Sequence, residues 1–199
     1  MIQLNKLLAA INISFTEGLN EIHRVVFDSR LANENTLFVA IEGVSVDGHS
    51  FLQQVADQGC QYAIIQRSVD MPNGLSCFQV PDTRKALAEL ACFWYDYPSK
   101  ELTLVGITGT NGKTTTATLL FNLFTQLGYK TGLISTVVNK IGEEKVPATH
   151  TTPDPFALNE LLRKMVDAGC AFCFMEVSSH AVHQQRIHGL TFCGGVFTN

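Results

Sequence analysis

The sequence predicts an α/β fold in two units, and three observations carry that expectation. The second half runs strand, helix, strand, helix, strand, which implies parallel strands joined by right-handed crossovers. A glycine-rich turn sits between the first of those strands and its helix, the place where such a sheet offers backbone amides to an anion. And 46% of the 199 residues are hydrophobic against 16% charged, enough apolar material for a packed core and too little charge for a disordered chain. At about 150 residues per domain, the length admits one large domain or two small ones. A formal net charge of −4 argues against a nucleic-acid coat, although local amides can still hold a phosphate.

Taken in order, Leu4, Leu7, Leu8 and Ile11 share one face of a short helix. No small-residue cleavage site follows the apolar stretch 7–11, so it does not read as a signal peptide. No apolar run approaches the roughly 18 residues needed to cross a bilayer, which makes a cytoplasmic protein without a membrane partner the expectation. Residues 25–28 and 37–41 read as strands, 43–48 as a turn-rich loop, and Phe51, Leu52, Val55 and Ala56 as a helical stripe stopped at Gly59. Short strands follow at 62–65 and 78–80. Asp82 then caps a helix whose Leu87, Leu90, Ala91 and Trp94 recur at helical spacing, closed by Pro98-Ser99. The boundary between units falls at 97–101, giving units 1–98 and 99–199.

The second unit opens with a buried strand at 102–107 and the glycine-rich turn at 108–112. A helix follows, with Ala117, Leu120, Leu123, Phe124 and Leu127 expected inward and Gly128 as its stop. Residues 131–135 are a strand and 136–149 a hairpin with its tip near 141–144. Asp154-Pro155 opens a helix carrying Leu158, Leu161, Leu162 and Met165, closed at Gly169. The near-continuous apolar run 171–177 belongs in the centre of a sheet. A last strand at 192–197 runs into a loop with no closing helix.

The strongest chemical signal is Gly106-Ile107-Thr108-Gly109-Thr110-Asn111-Gly112-Lys113-Thr114. Glycines let backbone amides approach phosphate oxygens, a lysine reaches the outer phosphates, and a hydroxyl can hold Mg²⁺. The strict GxxxxGK[ST] spacing is not met, because Ile107 stands five residues before Gly112. A phosphate loop is usually accompanied by an acid on a neighbouring strand. Glu176, at the C-terminal end of the apolar run, supplies one. An ionised acid in an apolar strand is costly without a partner, so Mg²⁺ and a salt-bridged or hydrogen-bonded structural role are its readings.

Six cysteines, Cys60, Cys77, Cys92, Cys170, Cys173 and Cys193, carry no secretory context. Cys170 and Cys173 form a CxxC, open to a redox or zinc reading, but the pattern favours two buried thiols of one strand pointing to opposite faces. His180, His183 and His188 fit no standard zinc spacing and favour a polar loop near a ligand.

Gly109-Thr110-Asn111-Gly112-Lys113-Thr114-Thr115 resembles the ATP loop of the Mur ligases, its departure from the strict spacing included; folylpolyglutamate synthetases share a related loop. Asp28-Ser29-Arg30, Leu37-Phe38-Val39-Ala40 and Asp47-Gly48 resemble the uridine-binding N-terminal domain of the Mur ligases. Thr151-Thr152-Pro153 and Met175-Glu176-Val177-Ser178-Ser179-His180 resemble the tripeptide-forming members, which add diaminopimelate or lysine to UDP-N-acetylmuramoyl-L-alanyl-D-glutamate.

The resemblance implies a small α/β nucleotide-sugar domain over 1–98 and the first part of a parallel-sheet P-loop ATPase domain over 99–199. It implies a cytoplasmic, ATP-dependent amide ligase of peptidoglycan precursor synthesis, working through an acyl phosphate with ATP and Mg²⁺. Its other partners would be the UDP-N-acetylmuramoyl dipeptide and a diamino acid, with diaminopimelate expected over lysine; no nucleic acid and no membrane is implied. Gly109, Thr110, Asn111, Gly112, Lys113, Thr114 and Thr115 would bind ATP, Lys113 and Glu176 would be catalytic, and Thr114 and Glu176 would hold the metal. Phe27, Ser29, Val44, Ser45, Val46, His150, Thr151, Thr152, Ser178, Gln184 and Arg186 would contact the UDP-sugar. The family's later acidic-histidine motif, its carbamylated lysine and its third domain have no counterpart here. An N-terminal portion, catalytically silent and marginally stable or self-associating by itself, is therefore expected. A non-catalytic UDP-sugar or nucleotide-binding module, a sibling ligase and a folylpolyglutamate synthetase-like ligase are the alternatives. A kinase or GTPase would carry a guanine-reading or lid segment after the loop, and none is read.

Overall fold

The computed structural model describes residues 1–16, 20–43, 46–148 and 150–199. It divides into two units, Met1–Leu90 and Ala91–Asn199. In the first, β1 (Ile2–Gln3) leads into α1 (Leu4–Ala10), and Leu4, Leu7 and Leu8 are fully buried, as their spacing predicts. β2 (Glu21–Ile22) pairs antiparallel with β1. β3 (Arg24–Val26) and β4 (Thr36–Val39) begin a parallel sheet. A 3₁₀ turn over Gly48–Phe51 feeds α2 (Leu52–Asp57), and β5 (Tyr62–Ile65) and β6 (Ser76–Gln79) complete the order β3-β4-β5-β6. Phe38 and Ala40 pack with Leu52, Val55, Ala63 and Ile65 in its core.

α3 (Thr83–Trp94) starts at the predicted cap: the Asp82 carboxylate accepts from the backbone N–H groups of Arg84 and Lys85. It ends earlier than Pro98. Asp96 and Tyr97 take left-handed backbone, φ +57° and +49°, and Pro98 opens a 3₁₀ turn instead.

The second unit holds β7 (Thr103–Thr108), α4 (Lys113–Gln126), β8 (Thr131–Ile134), the hairpin of β9 (Val138–Ile141) and β10 (Glu144–Pro147), α5 (Pro155–Asp167), β11 (Phe172–Glu176), α6 (Ser179–His183) and β12 (Gly194–Phe197). The sheet among the described residues runs β10-β9-β8-β11-β7-β12, with β8, β11, β7 and β12 parallel. β11 lies inside it, as its apolar run requires. Cys173 and Met175 face Leu158, Leu162 and Met165 of α5, while Phe174 faces Ala117 and Phe121 of α4. Alternation along one strand thus fills two cores. Burying each such α5 side chain is worth about 1.5–3 kcal/mol. Pro155 begins α5 beneath Asp154, whose carboxylate accepts from Phe156 and Ala157.

Two expectations are corrected. Leu123 and Leu127 of α4 are 49% and 62% exposed; Phe121 takes the inward place. The apolar side chains of α4 cover a broad arc, from Leu119 through Leu123, Leu120 and Phe124 to Ala117 and Phe121, so spacing alone does not choose which part of it faces inward. Cys170 and Cys173 are buried, free thiols, but they do not point to opposite faces of a strand: Cys170 precedes β11 and joins the same core as Cys173. Burial pushes both thiols above their ordinary range, Cys173 the more strongly. Among the described residues, no helix is long and apolar enough to cross a membrane.

Candidate functional site

The glycine-rich turn joins the C-terminal end of β7 to the N-terminus of α4. Gly109 has φ +137° and Gly112 φ +82°, and Gly112 is the residue on which α4 begins. These are conformations that side chains rarely adopt, and they let the loop curl tightly over the helix start. A Cβ on Gly109 would run into the backbone carbonyl and hydroxyl of Thr198. Thr198 and Asn199 embrace the loop: the Asn111 N–H donates to the Asn199 carbonyl at 2.6 Å, and the Thr198 hydroxyl lies 2.6 Å from the Asn111 carbonyl. Lys113 Nζ donates to the carbonyls of Gly109 at 2.6 Å and Thr110 at 3.2 Å. The loop's cation therefore lies against the loop, within the segment where a phosphate chain would be cradled.

Parallel pairing sets Glu176 opposite Ile107, so the ends of β11 and β7 lie on the same side of the sheet. Period-two alternation after Phe174 turns Glu176 toward the α4 side. Glu176 is fully buried. Its Oε1 accepts from the Thr136 N–H at 2.9 Å and its Oε2 from the Thr136 hydroxyl at 3.1 Å. Among the described residues it forms no ion pair with a lysine, arginine or histidine, so its hydrogen bonds are met and its charge is left for another cation.

Thr110, Asn111, Gly112, Lys113, Thr114 and Thr115 line one cavity of about 380 Å³ with Thr136, Thr151, Glu176 and Ser178. A hydroxyl, a buried carboxylate and surrounding oxygens form the hard donor set that Mg²⁺ takes when phosphates and waters complete its shell. The residues present fit that ion. No group of three or more His, Cys, Asp and Glu among the described residues is arranged to hold a metal by itself.

Around the acid, the Thr152 hydroxyl donates to the Glu176 backbone carbonyl at 2.9 Å and accepts from the Ser178 N–H at 3.2 Å. Ser178 caps α6, accepting from Ala181. Arg186 donates from Nε and Nη2 to the Gln184 side chain, at 2.9 and 2.6 Å, and from Nη1 to the Thr152 carbonyl at 2.8 Å. This fixes the guanidinium and leaves N–H donors on both terminal nitrogens. Loop, acid, Thr151, Thr152, Ser178, Gln184 and Arg186 are thus drawn into one neighbourhood. His150 is exposed before Thr151.

In the first unit, Phe27 and Val46 are 43% and 57% exposed, and Ser29 opens a 3₁₀ turn capped by Asp28. Val44 and Ser45 lie outside the described residues. Asp28 is held down to about 2 by the side chain and backbone N–H of Arg30. Asp47 meets His49 Nδ1 at 2.7 Å and Arg67 Nη2 at 2.5 Å, and His49 Nε2 accepts from the Gln66 N–H at 2.9 Å. Burial raises the Asp47 carboxyl, but Arg67 and the two His49 bonds outweigh it and hold the group well below the carboxylate range.

Sequence reasoning missed Thr136, Thr198 and Asn199. Thr136 follows β8, a parallel neighbour of β11, so its place at the carboxyl ends of the strands was the available signal.

Comparison with known proteins finds two family matches: the Mur ligase family catalytic domain over residues 21–95 and the Mur ligase middle domain over 107–199. The UDP-N-acetylmuramoyl-L-alanyl-D-glutamate--2,6-diaminopimelate ligase of Cytophaga hutchinsonii is 48% identical over 201 residues, covering 99% of this chain and 41% of the relative. The ligase of that name from Phocaeicola vulgatus is 46% identical over 200 residues, with the same coverage of each. A solved structure of a ligase so named superposes with a TM-score of 0.79 at 22% identity, over 99% of this chain and 40% of that one, a likeness of fold.

Proposed function

The chain belongs to the Mur ligase family, and from that premise we propose that it supplies the nucleotide-sugar unit and the first part of the ATP unit of a MurE-type ligase. The whole ligase would join diaminopimelate to UDP-N-acetylmuramoyl-L-alanyl-D-glutamate in the cytoplasm. The chain spans 41% of the length of the first relatives, so the complete reaction is a proposal about the longer enzyme. One observation carries the reading: Lys113, Thr114 and the loop amides share a cavity with the buried Glu176 at the carboxyl ends of β7 and β11. The names of the 46–48% identical relatives favour diaminopimelate over lysine and over the sibling ligases.

In this reading, an oxygen of the substrate's glutamyl carboxylate attacks the γ-phosphorus of ATP and ADP leaves. The incoming amine then attacks the acyl carbon of the resulting acyl phosphate, and inorganic phosphate leaves. Two anions must be brought together, so positioned cations and dipoles dominate the work. Lys113 moves from the carbonyls of Gly109 and Thr110 to the outer phosphates, and the loop N–H groups hold the rest. Thr114 and Glu176 would hold Mg²⁺, which supplies positive charge to the phosphate oxygens. Arg186, braced by Gln184 and Thr152, offers its remaining donors to an anionic group of the UDP-sugar. Phe27, Ser29 and residues 44–46 are the first unit's proposed contacts to the uridine end; His150, Thr151, Thr152 and Ser178 are those of the second unit.

Titration of UDP-N-acetylmuramoyl-L-alanyl-D-glutamate into the chain tests this. Saturable binding is expected, and Arg186→Ala should weaken it about tenfold or more, the worth of a charge-assisted hydrogen bond. No binding, or an affinity that Arg186→Ala leaves unchanged, counts against it.

A further inference from the structure

Thr136 is exposed, yet both of its polar groups are spent on the buried Glu176. The turn that presents it is itself locked. Ser135, 1% exposed, donates its N–H to Asn139 Oδ1 at 3.2 Å and its hydroxyl to the Val138 carbonyl at 2.7 Å. The Val138 N–H returns a bond to Ser135 Oγ at 3.2 Å, and Asn139 is 2% exposed. The Thr136 N–H is therefore aimed before anything binds. A second contact leads outward: Thr136 Oγ1 lies 3.1 Å from Thr151 Oγ1. A hydroxyl has one proton and a carboxylate can only accept. With the Thr136 proton on Glu176, Thr151 donates to Thr136, which makes a chain of hydroxyls ending on the acid. The next residue, Thr152, holds the backbone carbonyl of the same glutamate.

We propose that Thr136 is a positioning residue. Its N–H and hydroxyl hold the Glu176 carboxylate in one orientation toward the Thr114 side of the cavity and tie it to the Thr151-Thr152 segment. The inference rests on the reading of Thr114 and Glu176 as a metal-holding pair. Each carboxylate oxygen accepts one bond from Thr136 and keeps acceptor capacity for a cation, so the bonds orient the acid without using it up. Partners of this kind fix the geometry of a ligand and thereby set metal affinity. The coupling also gives the Thr151 hydroxyl a route to the acid: a ligand that draws on it redirects the proton chain that ends on Glu176.

The probe is Mn²⁺ with ADP, followed by the paramagnetic resonance of free Mn²⁺ over the unsubstituted chain, Thr136→Val and Thr136→Ser. Thr136→Val should raise the Mn²⁺ dissociation constant about tenfold and Thr136→Ser by less than about twofold, as expected for an orienting hydroxyl. ADP binding measured in a metal chelator should be the same for all three. A merely structural role would lower melting temperature and metal-free ADP binding together. Should Thr136→Val fold poorly, Thr136→Ala makes the same comparison with Thr136→Ser. Mn²⁺ affinity unchanged in Thr136→Val, or lost equally in Thr136→Ser, overturns the assignment while leaving the functional reading intact. No Mn²⁺ binding with ADP by the unsubstituted chain overturns the functional reading, and the assignment with it.

Discussion

Gly109 shows how a single residue type conditions the loop. Its φ of +137° and the Thr198 backbone against its α-carbon leave room for hydrogen and nothing larger. Gly109→Ala should cost about 1–3 kcal/mol of stability through backbone strain and displace the Thr198 clasp. A lowered melting temperature with weakened nucleotide binding is expected; an unaltered melt and affinity would contradict the packing described. Gly109, Lys113, Thr114 and Glu176 were legible because each stands in a pattern: a glycine-rich turn between strand and helix, or an acid closing an apolar run. Thr136 was not. One threonine in a turn has no periodicity, and its role arises only when β8 is laid beside β11.

At the scale of elements, β11 and α5 followed directly from their patterns, since a continuous apolar run must be covered on both faces and Asp154-Pro155 marks a helix start. α4 was legible as a helix but not in its orientation, because its apolar arc extends from the leucines Leu119, Leu123 and Leu127, which are exposed, to Ala117 and Phe121, which are buried. The hairpin at 138–147 was readable from its turn, and its register puts Glu144 opposite Ile141. In the first unit, the segment entering α2 is held by Asp47, which binds His49 and, through Arg67, a residue following β5. Folding holds this carboxyl ionised more firmly than the unfolded chain does. Its stabilising contribution is complete above the ordinary carboxylate range, near about 4, and is lost as pH falls below it. Melting temperatures of the chain and of Asp47→Asn should differ by a constant amount above that range and converge toward acid. A difference that stays flat into acid would contradict the clasp.

Over the whole molecule, each unit has its own core and sheet, parallel in the first and mixed in the second, where β9 and β10 extend the parallel strands as an antiparallel hairpin, and the family match accounts for residues 21–95 and 107–199. The net charge of −4 says little about the ligands, because local groups such as Lys113, Arg186 and the loop amides would meet the phosphates. The proposed binding of ATP by this loop, as part of a Mur ligase, is tested most directly by calorimetric titration of ATP with Mg²⁺ into the chain and into Lys113→Ala. Saturable, Mg²⁺-dependent binding that Lys113→Ala abolishes is expected, with binding of UDP-N-acetylmuramoyl-L-alanyl-D-glutamate and the melting temperature retained. ATP binding that survives in Lys113→Ala, or that is absent from the unsubstituted chain, would contradict it.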